Sequence, residues 1–377
     1  MDQLNQIKDY IQNKSFEELF EDKNVYVKQD QHEKNYILIN SKNKNFEYYK
    51  FCNGNIYCKD TNKFVCVNMN KMTDITFNQL KNMFNEEDSI IEYCEDGTVI
   101  RVYYDNTKGW RFSTNKCIDA FSSYWTSSKS FGEMFDELFD EKMYDMLNKE
   151  YTYIFILRHK DNRIVIDHSE NEIVYVMKIN NVTKHEDYTN DFKYYENIKT
   201  IVKINDIKDM NGQPIEFIKF DINKDWEKIN RNDKRGIIIR KLNKDTNTYD
   251  LYKYEFEEYK NISKIRGNVP SLIKRYTQLY KNKEMQKQLT IHYPRMTAMF
   301  NIIDEKINVL SCDLYKIYVD THIYRKYILE NTNKYYKTIK MIHKKFKEGE
   351  KITIDVVNKV LEEIPTYILE QFVEELY

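Results

Sequence analysis

Cys94-Glu95-Asp96-Gly97-Thr98 lies between two runs, Ser89–Tyr93 and Thr98–Tyr104, both rich in β-branched and aromatic residues. Such runs read as strands, and an Asp-Gly pair joining two strands reads, taken alone, as a hairpin turn. The order of the segments C-terminal to it gives the stretch a second meaning. Ser113-Thr114 ends a third strand-like run, Trp110–Thr114. Tyr153-Ile-Phe-Ile-Leu-Arg-His-Lys-Asp-Asn-Arg-Ile-Val165 comes next, then Arg235-Gly-Ile-Ile-Ile239, then Tyr252-Lys253-Tyr-Glu-Phe-Glu-Glu-Tyr259.

Working outward, Leu4, Ile7 and Ile11 recur at helical spacing in the segment Leu4–Phe20. From Val25 to about Met72 the pattern changes to short runs such as Tyr36-Ile37-Leu38-Ile39, with Asn53-Gly54 the strongest turn signal. The spacing predicts a helix over Ser130–Leu147. Ser130-Phe-Gly-Glu133 forms its capping box, and Phe131, Met134, Phe135, Leu138, Phe139 and Met143 form its buried stripe. Strands are predicted at Tyr151–Leu157, Arg163–Ile166, Ile173–Met177, Ile215–Phe220, Gly236–Arg240 and Tyr249–Phe256. Past Gly267 the β pattern stops. Pro270 and Pro294 mark helix starts, and Met299, Ile303, Ile307, Leu310 and Leu314 form one long stripe. Two shorter helices come after it, parted near Gly349, and Pro365 breaks the last. The expected class is α+β: antiparallel sheets with helices over 1–265, then an all-helical domain over 266–377. No internal repeat interrupts this organisation.

The chain has 377 residues, 32% of them charged and 15% aromatic, with 8 Gly and 4 Pro, a composition that suits two packed domains without long linkers. No apolar run approaches bilayer-spanning length and the N-terminus has no signal-peptide pattern, so the expectation is a cytoplasmic protein with no membrane partner. The six cysteines, Cys52, Cys58, Cys66, Cys94, Cys117 and Cys312, have no paired C-x-x-C spacing. The seven histidines make no metal-binding array, and no metal site is expected. Net charge is −1 but unevenly spread. From Lys260 onward 21 Lys and Arg face 14 Asp and Glu, whereas the preceding residues carry 38 against 46. The C-terminal part is therefore the better candidate for a polyanion contact, although a solvated helix surface has the same composition.

The ordered series of motifs resembles that of the phage-type ATP-dependent RNA ligases, members of the covalent nucleotidyltransferase superfamily. In that family a Lys-x-Asp-Gly motif precedes a Ser/Thr-containing turn, a strand ending in Phe-Glu with Asn-Arg-Ile-Val shortly after, a Glu-Gly strand and a Lys-x-Lys strand. The resemblance covers most of the chain, including the helical end with Ile342-His343 and Ile352–Ile364, and Asn162-Arg163-Ile164-Val165 is its most specific part. With the AT-rich coding bias of the composition, it implies a large DNA virus as source. Family chemistry begins with a lysine amine attacking the α-phosphate of ATP, with carboxylates holding magnesium and ribose and the last lysines offsetting charge in the transition state.

This sequence departs at the reactive positions. Cys94 stands where the nucleophilic lysine belongs, Ile156 at the Phe-Glu carboxylate, Arg235 at the Glu-Gly carboxylate, and Glu255 opposite Lys253 in the Lys-x-Lys pair. Asn53-Gly54 replaces the upstream Arg-Gly, and Lys71 matches a lysine preceding the nucleophile motif. The resemblance thus implies a ligase-like fold without catalysis, kept for binding RNA or a nucleotide or for scaffolding a larger complex. An active divergent ligase or capping-type enzyme, which alone would need ATP and magnesium, and an assembly protein without nucleic-acid contact are the alternatives. Candidate nucleotide- or RNA-binding residues are Asp96, Gly97, Arg163, Arg235 and Lys253 in the groove. In the helical part they are Lys337, Lys344 and Lys345, which lie near Tyr335 and Tyr336. If the source is viral, the expected location is the host cytoplasm or the virion.

Overall fold

A computed structural model describes residues 3–30, 34–83, 89–201, 226, 229, 231, 233–244 and 248–375. The chain divides into two compact units, Met1–Lys260 and Asn261–Tyr377.

Among the described residues the first unit holds fourteen strands in three sheets. The first sheet, β1 (Val25–Gln29), β2 (Tyr36–Ser41), β3 (Asn53–Cys58) and β4 (Lys63–Cys66), is an antiparallel meander. The short β5 (Thr73–Asp74) and β6 (Ser89–Cys94) belong to the third sheet. The largest sheet runs β11 (Glu186–Asp187), β10 (Glu172–Asn180), β9 (Tyr151–Arg158), β7 (Thr98–Asp105), β8 (Gly109–Thr114), with β12 (Ile198–Thr200) beside β10. Its central strand β9 is apolar on both faces because both are covered. Ile154 and Ile156 pack with Val25, Ile37 and Ile39 of the first sheet, while Tyr153, Phe155 and Leu157 pack with Phe131, Met134, Phe135 and Phe139. Each such fully buried large side chain contributes roughly 1.5–3 kcal/mol. The third sheet is ordered β5-β14-β13-β6, from β13 (Gly236–Asn243) and β14 (Thr248–Glu255).

This topology corrects the hairpin reading of Cys94–Thr98. β6 pairs with β13, and β7 pairs with β8 and β9. The Asp-Gly stretch therefore carries the chain from one sheet to another. Gly97 is required because a Cβ there would lie 2.5 Å from the Leu157 carbonyl oxygen. Asn53-Gly54 is likewise not a hairpin turn but the start of β3. Gly54 has φ +82°, and a Cβ on it would come 2.5 Å from the Asn115 carbonyl oxygen.

The helix expected over Ser130–Leu147 is shorter than its pattern. The Ser130/Glu133 capping box is present, but the α-helix covers Phe131–Asp136, and a 3-10 segment, Glu141–Met146, comes after it. The Asp140 side chain accepts from the Lys142 N–H and so starts a new turn instead of continuing the old one. The strand expected at Arg163–Ile166 does not form. The N–H groups of Val165 and Ile166 are given to the Asp96 carboxylate rather than to a strand neighbour. The strand expected at Ile215–Phe220 lies outside the described residues.

The second unit is helical: Leu272–Gln278, Lys283–His292, Thr297–Tyr318, Tyr336–Lys347, Ile354–Glu363 and Thr366–Glu374, entered by the helix Glu257–Arg266. Ile303, Ile307, Leu310 and Leu314, read from the sequence as one stripe, are buried together with Ile342, Val357 and Phe372.

Candidate functional site

The first unit contains a cavity of about 300 Å3 lined by residues from all three sheets. Cys94 and Gly97 line it with Ile156, Arg235 and Lys253 from distant parts of the sequence, together with Asn53, Lys71 and Asn115. Strand register makes this convergence. Gly236 stands opposite Cys94 on β6 and opposite Glu255 on β14, so the three form one row across the sheet. The Arg235 N–H donates to the Cys94 carbonyl at 3.0 Å, and its own carbonyl accepts from Phe256 N–H at 3.0 Å, which fixes Arg235 at the edge of that row.

The Cys94 thiol is 5% exposed, and burial pushes its pKa up to about 12; Arg235 and Lys253 pull in the opposite direction without reversing the shift. It is a neutral thiol at physiological pH, and the thiolate is the nucleophilic form. Glu255 is held by two cations. Arg235 Nη2 lies 2.6 Å and Lys253 Nζ 2.9 Å from its Oε1, and Lys253 also reaches Asp74 at 3.1 Å. Burial raises the pKa of Glu255, but Arg235 and Lys253 outweigh it and hold the carboxyl below its usual value. The positive charge gained at Arg235 is thus matched by the negative charge gained at Glu255. Arg235, a candidate nucleotide- or RNA-binding residue by sequence, lines the cavity already paired with a carboxylate. Glu95, also lining the cavity, is ion-paired to Lys234 at 2.8 Å, with Arg158 at 3.4 Å. Lys71 differs: its Nζ donates to the Ser41 carbonyl at 2.5 Å and lies 4.5 Å from the centre of the Tyr49 ring, and burial lowers its pKa. Among the described residues no carboxylate pairs with it.

Asp96 does not line the cavity. It is fully buried, and its carboxylate accepts from Val165 N–H at 3.0 Å, Ile166 N–H at 2.9 Å and the Tyr259 hydroxyl at 2.6 Å. Asn162 Nδ2 donates to Thr98 Oγ1 at 2.9 Å. The Asp-Gly and Asn-Arg-Ile-Val motifs are therefore bound to each other and hold the cross-sheet turn in shape. Arg163 also stands outside the lining, its guanidinium donating to the Val165 carbonyl and to Asp167. In the helical unit Lys337 and Lys344 are exposed on the Tyr336–Lys347 helix. Lys344 has a long contact to Glu348 at 3.7 Å, and Lys345 is turned toward Glu363 at 2.7 Å. Sequence reading missed Lys116 and Asn115, although the Ser113-Thr114 signal lies directly before them.

The donor set does not fit an ATP-magnesium site of the ligase kind. A cysteine, not a lysine, stands at position 94, Ile156 offers no oxygen, and the Glu95 and Glu255 carboxylates are already paired with cations. Among the described residues no group of three His, Cys, Asp or Glu is placed to hold a metal ion, and no helix is long and apolar enough to cross a membrane.

No protein-family model matches the chain. It is 25% identical over 338 residues, 80% of this chain and 70% of the relative, to an immediate-early protein ICP-46 homolog of Invertebrate iridescent virus 6. It is 34% identical over 92 residues, 22% of this chain and 20% of the relative, to an RNA ligase of Rhodothermus phage RM378. An archaeal ATP-dependent RNA ligase structure aligns with a TM-score of 0.46 at 10% identity, covering 76% of this chain and 72% of that one. By sequence, the chain is similar to the ICP-46 homolog of Invertebrate iridescent virus 6 along most of its length and to a phage RNA ligase over a shorter stretch.

Proposed function

We propose that the chain is a catalytically degenerate relative of the RNA ligases whose cleft holds single-stranded RNA without taking a nucleotide onto itself. The observation that carries this is Cys94, a buried neutral thiol at the position where the ligase resemblance requires an activated lysine. The surrounding changes point the same way. Ile156 gives the cavity an apolar wall, and the carboxylates nearest it, Glu95 and Glu255, are held by Lys234 and Arg235. What is left is a half-apolar cavity edged by Lys71, which no carboxylate among the described residues pairs, and by Lys253 and Arg235, which share Glu255; it suits phosphate and base contacts at Lys71 more than bond making.

The test is filter binding of a labelled single-stranded RNA across a salt series. Binding is expected to weaken as salt rises, with a slope of about −0.7 per phosphate neutralised. Lys71→Ala is expected to weaken it and flatten that slope. Absence of salt-dependent RNA binding at low ionic strength would leave assembly with a protein partner as the function.

A further inference from the structure

Beside the Cys94 cavity lies a second one, of about 520 Å3, also within the first unit. The two share Asn53, Lys71 and Asn115, so they meet along one edge. Tyr26 and Lys28 come from β1, whose alternation of buried Val25 and Val27 with exposed neighbours puts both on its open face. Lys116 comes from the turn after β8. That turn is fixed in place: Asn40 Nδ2 donates to the Asn115 carbonyl at 2.8 Å and Asn68 Nδ2 to Asn115 Oδ1 at 2.9 Å. Three lysines line the cavity and no carboxylate does, although the residues before Lys260 carry more Asp and Glu than Lys and Arg. Among the described residues none of the three lysines is in an ion pair.

We propose that Lys28, Lys71 and Lys116 form a second phosphate-binding station that takes the backbone of the RNA strand as it leaves the Cys94 cavity. This rests on the cleft holding RNA and extends it to a strand of several nucleotides. Lys71 stands at the junction and touches both cavities. Its half-buried ammonium has lost much of its water without gaining a carboxylate, and an incoming phosphate would supply the missing counter-charge. Tyr26, 43% exposed, offers a ring face for one unpaired base. A free polyphosphate has the same charged groups but no base for that ring.

The experiment compares the full-length chain with the double variant Lys28→Ala/Lys116→Ala, both exposed positions, with thermal melts as a check of folding. Affinity for a labelled single-stranded RNA of about a dozen nucleotides and for a trinucleotide is measured across a salt series. Loss of two phosphate contacts should flatten the salt slope for the long RNA by about 1.4 and leave the trinucleotide unaffected. If the parent binds RNA and the double variant keeps both affinity and slope, the second station is overturned while RNA binding in the cleft stands. If the parent does not bind RNA, the cleft reading fails first. Inorganic tripolyphosphate displacing the RNA at lower concentration than unlabelled RNA would assign the station to a free polyphosphate and overturn the strand.

Discussion

Arg235 and Glu255 form an ion pair across β13 and β14, with the guanidinium Nη2 2.6 Å and Nε 2.7 Å from the same carboxylate oxygen. The ligase resemblance implies a carboxylate at the first position and a lysine at the second. Relative to that pattern the two charges stand exchanged between the positions, and here they attract each other directly.

That exchange predicts a reciprocal pattern of stability. Arg235→Glu alone places two carboxylates together, and Glu255→Lys alone gathers three cations. Each should cost about 2 kcal/mol, because both side chains are mostly buried and one partner is left unmatched. The double variant should recover most of that loss. Urea unfolding of the four proteins gives the coupling, and additive losses would disprove the pairing.

Asp96 is expected to hold the turn rather than touch a ligand. Asp96→Asn removes a charged acceptor from two backbone N–H groups and from Tyr259, at a cost of about 3 kcal/mol. Thermal unfolding should occur at lower temperature while RNA affinity of the folded protein is unchanged. A loss of affinity without a loss of stability would put Asp96 in the binding surface.

Alkaline pH should destabilise the chain through its buried thiols. Burial raises Cys94 and Cys52 from an ordinary value of 9.0 to about 12. Between those limits the unfolded chain releases protons that the folded chain retains. Stability from these groups is thus full below pH 9 and is lost as pH rises toward 12. The urea midpoint should fall over that range, and Cys94→Ala should shallow the fall. At about pH 8, below the ordinary thiol value, a thiol reagent should label exposed Cys312 in the native protein and spare Cys94 until unfolding.

In the helical unit the three candidate lysines should not behave alike. Lys337 and Lys344 project to solvent, whereas Lys345 is tied to Glu363 on the neighbouring helix. If this helix contacts RNA, Lys337→Ala/Lys344→Ala should flatten the salt slope by about 1.4, and adding Lys345→Ala should change it little. Unchanged affinity in the triple variant would show the basic face to be a solvated surface.

Much of the fold was legible because it rests on local pattern. The strands around Cys94, the Ser130 capping box and the Ile303–Leu314 stripe all arise from period and cap chemistry. What was illegible depends on partners distant in sequence. The Asp-Gly turn looks like a hairpin until β6 is seen to pair with β13, far along the chain. Val165 and Ile166 look like strand residues until Asp96 takes their N–H groups. The departures at Cys94, Ile156 and Arg235 could be read in sequence, but the answering change at Glu255 acquires its meaning only from register. Lys28 and Lys116 carried no motif, and only the lining of a cavity brings them together.

Catalytic degeneracy is tested most directly by incubating the protein with magnesium and α-labelled ATP, and separately GTP, and measuring intact mass and retained label. Neither the parent nor Cys94→Lys is expected to carry a nucleotidyl group, because Ile156 and the Arg235–Glu255 pair still deny the metal its ligands. A nucleotidyl adduct on either protein, stable to alkali and released by acid as a lysine phosphoramidate is, would contradict it.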